Sequence, residues 1–535
     1  MRVPALSFLF ALFCSASALF LAACGRPPGT SAAKILLVGN SAEPQDLDPH
    51  IVTGVPEHHL LSALLEGLVI DHPSGHGVAP GVAERWETSA DGLTWTFHLR
   101  PTARWSNGDP VTARDFVRSY QRMLTPALGS QYAYFLYQVV GAEEFNKGSL
   151  TDFSKTGFKA TDDLTLVLKL KAPVPFLLES LKHYAWFPVH IPTVEKFGGL
   201  SSPSSPWTRP GNFVGNGAFI LAEWKPTQHI LVTRSPTYWN TAATRLDGVK
   251  FFPIDNTETE ERMFRTGQLH ATYGLPLSKV RAYREQHPAE FRSDDYYGTT
   301  FLRLNIRQKP LDDVRVRRAL ALAIDRDAYV RVLDGGQQPA LHLTPPSPDF
   351  TPRARLVPDL AEARRLLAEA GYPEGRDFPS VELLYATSNS GKQLSEVIQQ
   401  MWRSALGINV TLRNEEWKVY LGSQRSGGYA IARAGWIGDY PDPHSFLDMW
   451  TTDGGNNQTG YSNPDYDRLL ASALSAPDEA ARMEIYQRLE AFLARDLPVI
   501  PINFYKTIRA VSPRVKGWVP NLLDNRAWQH LDLAE

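Results

Sequence analysis

Cysteine is nearly absent from this 535-residue chain: Cys14 and Cys24 are the only two, and both lie in the apolar N-terminal segment. That excludes a disulfide framework for everything after residue 24, so the folded part depends on packing. Long hydrophobic runs are equally scarce. After the run from Val3 to Ala23, no stretch approaches the roughly 20 apolar residues that a bilayer-spanning helix requires. Neither sign of charge is in excess. The 55 Lys and Arg nearly balance 57 Asp and Glu, for a formal net charge of -2, which leaves no basic field for nucleic acid. Signatures of catalysis are missing as well, with no G-x-S-x-G elbow, P-loop, H-E-x-x-H or dinucleotide fingerprint.

What is present begins with MRVPALSFLFALFCSASALFLAACG. Arg2 followed by an apolar run that ends in small residues reads as an export signal over residues 1–23. Leu21-Ala22-Ala23-Cys24 resembles a bacterial lipobox, so Cys24 is expected to carry lipid and become the new N-terminus. Residues 24–33, with RPPGTSAA, form a short tether. Beyond it, 43% hydrophobic and 21% charged residues at this length predict two or three globular domains.

Strands are expected in KILLVGN (34–40), LTWTFHLR (93–100) and LTLVLKL (164–170), whose β-branched and aromatic residues are bounded by turn residues. A helix is expected in PDLAEARRLLAEAGY (358–372). Asp359 and Glu362 have capping-box spacing there, Leu360, Ala363 and Leu367 share a face, and Gly371 provides the stop. Another is expected from about Asp478 to Arg495, with Met483, Tyr486, Leu489, Phe492 and Leu493 as its apolar stripe. GLSSPSSPWTRP (199–210) reads as a surface loop. This mixture of strands and helices without strict alternation predicts an α/β and α+β composite.

Several residue groups invite a chemical reading. Pro56-Glu57-His58-His59, with His50, His72 and His76, suggests metal, but adjacent helical histidines point in different directions, which favours a core or surface role. The pairs Asp46/Asp48 and Asp439/Asp442 suggest a glycan hydrolase, yet such pairs arise by chance among 57 acidic residues. Trp105, Tyr132, Trp224, Trp239, Trp417 and Trp436 lie in polar neighbourhoods and are candidates to wall a ligand cleft, or else ordinary core. The densest pattern is ARAGWIGDYPDPHSF (432–446). Its Arg433 and Asp439 sit in an apolar setting where charges need partners, either each other or a ligand.

Together with EPQDLDPH (43–50), APGVAERWE (79–87), WTFHLRPTARWSNGDPVTARDFV (95–117), RSPTYWN (234–240), DVRVRRALALAIDRD (313–327) and LLAEAGY (366–372), this stretch resembles the periplasmic oligopeptide-binding proteins of ABC importers. That extracellular solute-binding family also includes dipeptide and nickel binders. The resemblance implies an α/β clamshell, two lobes joined by two crossovers plus an additional third domain. Carried over, 34–55, 183–296 and 505–535 form lobe I, 56–182 the additional domain and 297–504 lobe II. It also implies a non-enzymatic, monomeric binding subunit without cofactor, which captures short peptides and hands them to an ABC permease. A binder of murein peptide or of another small solute is the alternative on the same fold, and a cleft hydrolase the alternative from another class.

The resemblance further implies site residues. Asp439 pairs with the peptide α-amino group, Arg433 meets a peptide carboxylate, and Gly435 lets the backbones approach. Trp436, Trp417 and Tyr132 wall side-chain pockets. Glu43 falls on a strand that pairs with the peptide main chain, where Pro44 removes one hydrogen bond. There are departures. Gln424 stands at a family arginine, with Arg425 beside it as a possible substitute; Gly391 replaces a histidine, and a lysine has no clear counterpart near Val332. Gly298 and Ile437 occupy the places of a disulfide. With these cations missing, a narrow ligand length of three to four residues is expected.

Overall fold

The computed structural model describes residues 33–534 except 204, 348 and 477, so the expected signal, Cys24 and all but the last residue of the tether lie outside the described residues. Three sheets organise the chain. The first contains the strands Ile35–Gly39, Gly248–Phe252, His229–Arg234 and Phe219–Lys225 in that spatial order. The second contains Val410–Glu415, Val381–Ala386, Ile431–Ile437, Phe291–Leu304 and Val499–Ala510. The third, Ala83–Thr88, Thr94–Leu99, Thr165–Lys169 and Phe158–Ala160, is antiparallel throughout. The three strands expected from sequence are all formed.

Phe291–Leu304 and Val499–Ala510 are the crossovers. They run antiparallel along their lengths, from Phe291 opposite Ala510 to Arg303 opposite Val499, with register shifts between Asp295 and Thr299 and between Thr300 and Phe301. Such irregularities bend and twist a strand pair. On one side of the bend, Ala271 bridges Val511 to Val38 and so joins the pair to the first sheet. On the other, Phe291–Leu304 pairs with Ile431–Ile437 inside the second sheet. Both lobes thus share two strands, which gives a clamshell with two crossovers and an added domain. Gly298 lies directly opposite Ile437, so the two are cross-strand neighbours.

The helix Leu360–Glu369 starts on Asp359, whose side chain accepts from the Glu362 amide at 3.0 Å. Only half the capping box forms, because the Glu362 carboxylate turns to Arg365. Its buried face is Ala363, Leu366 and Leu367, while Leu360 is 41% exposed: at the first helical position it projects past the core. In Glu479–Asp496 the buried face is Arg482, Tyr486, Leu489, Glu490 and Leu493, and Met483 and Phe492 are only half-buried. The charges displace the apolar stripe because each has a buried partner: Arg482 binds Asp442 at 2.6 Å, and Glu490 accepts the amide of Thr344 at 2.8 Å. The segment 199–210 is not wholly a surface loop. Ser205, Trp207 and Thr208 are buried, with Trp207 stacked on Phe213 beneath the Arg122 guanidinium.

EPQDLDPH is a structural knot. Asp48 and Arg122, both essentially inaccessible, form a two-pronged pair, Oδ1 to Nη1 at 2.9 Å and Oδ2 to Nη2 at 2.5 Å. His50 Nδ1 accepts a further Arg122 bond at 2.9 Å and Nε2 donates to the Phe187 carbonyl. Burial and then Arg122 pull the His50 pKa down to about 4. Asp46 meets Arg209 at 3.3 Å. No helix among the described residues is long and apolar enough to cross a membrane.

Candidate functional site

A cavity of about 310 Å³ is lined by residues from segments spread along the chain, from Ser41 to Asn525. Asp439 bounds one part of it. It follows the strand Ile431–Ile437, and its amide is fixed by Ser445 Oγ at 2.6 Å. The side chain is 7% exposed. Oδ1 accepts from the Tyr132 hydroxyl at 3.3 Å and faces His183 Nε2 at 3.4 Å. His183 Nδ1 accepts the Ala185 amide, which places the proton of a neutral ring on Nε2, toward the aspartate. Burial, with a lesser contribution from His58, holds the His183 pKa well below the usual value and keeps the ring neutral. Oδ2 is buried and has no hydrogen-bond partner among the described residues. Burial, then the Asp448 charge, drives the Asp439 pKa well above the ordinary aspartate range, against the Tyr132 hydrogen bond. A cation arriving at Oδ2 reverses that cost.

The strand Ile431–Ile437 supplies the next feature. One edge is fully paired with Phe291–Leu304, but the other meets Val381–Ala386 only at Ile431 and Ala432. Beyond Ala432 no strand among the described residues pairs with this second edge. The Tyr420 hydroxyl caps the Arg433 carbonyl at 2.8 Å, and by the two-residue period the Gly435 amide and carbonyl face the same side. An extended chain can add there as a further strand. At Gly435 the closely approaching group is Tyr505: a Cβ built on the glycine would overlap its hydroxyl.

Two guanidinium groups line the cavity. Arg433 Nε donates to the Tyr329 hydroxyl at 3.3 Å. Arg303, on the crossover strand, is 5% exposed and donates to the side-chain oxygens of Gln424, at 3.1 Å, and Gln458. Burial depresses its pKa. Arg303 was not singled out by sequence reasoning; it touches Gln424 from a strand 121 residues away in sequence, and no local pattern marks that contact. Arg425 is exposed and outside the cavity, with Nη2 2.7 Å from the carboxamide of Gln131 when that group presents its oxygen.

The remaining expectations divide. Trp436 and Trp417 line the cavity; Trp436 Nε1 donates to the Ser445 carbonyl at 2.7 Å, and Trp417 sits over Gly54 across the cleft. Tyr132 lies within an aromatic group with His183, Tyr184 and Trp436. Glu43 is not on a strand and does not line the cavity. Its carboxylate accepts from Trp224 Nε1 at 2.6 Å and from the Thr227 amide at 2.9 Å, while neighbouring Ser41 and Ala42 reach the cavity wall. Trp105, Trp224 and Trp239 do not line the cavity. Tyr184, Tyr273, Tyr296, Tyr420 and Tyr505 do. They come from distant segments, and no local pattern marks them.

Comparisons with known proteins agree on one group. The profile of bacterial extracellular solute-binding proteins, family 5 Middle, matches residues 77–458. The periplasmic oligopeptide-binding protein OppA of Salmonella typhimurium is 39% identical over 507 residues, 92% of this chain and 91% of that protein. The structure of the Escherichia coli murein tripeptide binding protein MppA is 33% identical and covers 94% of this chain and 99% of its own, with a TM-score of 0.90. The unliganded open form of MppA, equally identical and covering 95% and 99%, gives only 0.63. The chain thus matches the first MppA structure better than the open form, and Tyr132 and Asp439 are in hydrogen-bond contact at the cavity.

Proposed function

The chain belongs to the family 5 bacterial extracellular solute-binding proteins, and on that footing we propose that it captures short peptides in a closing cleft and delivers them to an ABC permease. The observation that carries this reading is the sequence of features along one strand. A buried carboxylate with an unpartnered oxygen at Asp439, a free strand edge at Gly435 and a guanidinium at Arg433 offer complements to a free amino terminus, an extended backbone and a carboxylate. Similarity to an oligopeptide-binding protein supports the same ligand class. A murein peptide is a second reading, favoured by the likeness to MppA.

In this reading the protein is a monomeric binding subunit rather than an enzyme. Its acidic pairs support that view, since Asp46, Asp48 and Asp442 are each engaged by an arginine. Ligand binding stabilises the closed clamshell, which the permease recognises. We place the lobe boundaries at 34–55 with 183–296 and 505–535, at 56–182, and at 297–504; the crossover irregularity near 295–301 supports the division of the long strands. Lipid on Cys24 would hold the protein at the membrane, and a Cys24→Ser protein that still partitions with membranes after alkaline washing would contradict this.

Mass spectrometry of small molecules released by denaturing the protein as purified tests the ligand class. Peptides of about three to four residues are expected; a murein peptide selects the second reading, and a non-peptide solute overturns both. Cleavage of a peptide mixture with turnover would restore the hydrolase alternative.

A further inference from the structure

Peptide binding as read above leaves one charge in the cavity without a partner. Among the described residues, the acidic and basic side chains that line it, histidines aside, are Asp439, Arg433 and Arg303. A peptide with one ammonium and one terminal carboxylate satisfies the first two. Arg303 remains, 5% exposed, with no carboxylate contact among the described residues and only the neutral oxygens of Gln424 and Gln458 on its Nη1. Its Nε is buried without any partner. A guanidinium in such a place has lost its water and gained no counter-charge, a costly arrangement unless an anion arrives.

The register fixes where that anion sits. Arg303 lies opposite Ala432, and Arg433 opposite Leu302. Directly opposed residues share a face and successive residues alternate, so the two guanidiniums leave the strand pair on opposite faces. A peptide added at the free edge beyond Ala432 sends its own side chains alternately to those two faces. One parity of side chains is therefore directed to the Arg303 face, which it shares with Trp436.

We propose that Arg303, held by Gln424 and Gln458, is a second carboxylate subsite of the cleft, distinct from Arg433, and that it selects peptides carrying an additional acidic group. This rests on the peptide-binding reading. The register favours an acidic side chain as the source, and the carboxy terminus of a longer peptide offers the same chemistry.

The test is calorimetric titration of the purified protein with tri- and tetra-alanine and with matched peptides in which each position in turn carries Glu or Gln. At one position Glu should bind at least about tenfold tighter than Gln, as expected for a charge pair in a desolvated cleft. Arg303→Gln should bring that ratio to about one. Gln424→Glu, which supplies an internal carboxylate, should do the same even if Arg303→Gln does not fold. If the Arg303 dependence instead appears between free and amidated carboxy termini of the longer peptides, the subsite stands and its source is the terminus. Binding of alanine peptides with Glu/Gln and free/amidated ratios that neither variant changes overturns the subsite and leaves the peptide reading intact. No binding of any peptide overturns both.

Discussion

The Tyr132 hydroxyl, 307 residues away in sequence, donates to Asp439 Oδ1 at 3.3 Å across the cleft. The pair ties ligand recognition to closure, because the aspartate that awaits a cation is sealed by a side chain from the opposing wall. Its Oδ2 is left buried and unpartnered. A closed, empty cleft therefore carries a cost that the ligand removes.

Asp439→Asn should weaken peptide binding yet stabilise the ligand-free protein. Burial raises the folded-state pKa of Asp439 well above 3.8. A carboxyl shifted this way contributes stability that is full below the unfolded pKa and is lost as pH rises through the folded value. The wild type should thus lose stability relative to Asp439→Asn over the window that starts near 3.8 and runs upward to the raised pKa. Thermal unfolding of both proteins at stepped pH checks this; identical profiles would mean that Asp439 is solvated when the cleft is empty.

Arg122→Met should cost about 3–5 kcal/mol in urea unfolding, since it leaves Asp48 buried without its partner. Pairing it with Asp48→Asn should restore part of the loss. Because Arg122 helps to hold the Asp48 pKa below 3.8 against burial, the pair's contribution is present at pH above about 3.8 and disappears as pH falls through the lowered folded value. Acid titration of the unfolding free energy reads that window.

Gly435→Ala should destabilise the closed protein by about 1–3 kcal/mol, the cost of overpacking against the Tyr505 ring. In a Tyr505→Ala background the added methyl should cost much less, and a double-mutant cycle measures the difference.

The sequence made some of this legible and hid the rest for physical reasons. Local signals served well: the three early strands, the Asp359 cap and the 432–446 stretch with Asp439, Arg433 and Trp436 are all where their patterns put them. Gly298 and Ile437, far apart in the chain, face each other across two strands. What failed was partner choice at a distance. Glu43 turned to Trp224 and Thr227 because their donors lie 181 and 184 residues away, and Arg425 fell on the exposed side of its helix while Arg303 entered the cavity from another strand. Trp207 looked like loop because its serine and proline neighbours did, yet it packs under Arg122. Such contacts depend on which segments the fold brings together, and one-dimensional patterns carry no trace of that.

Affinity of one tripeptide, free and N-acetylated, measured by calorimetry on the wild type and on Asp439→Asn, tests the central claim most directly. Removal of either charge from a pair in a desolvated cleft should cost about 2–5 kcal/mol, and the two losses should not add, because each removes the same interaction. Equal affinity of the wild type for the free and acetylated peptides would contradict the account.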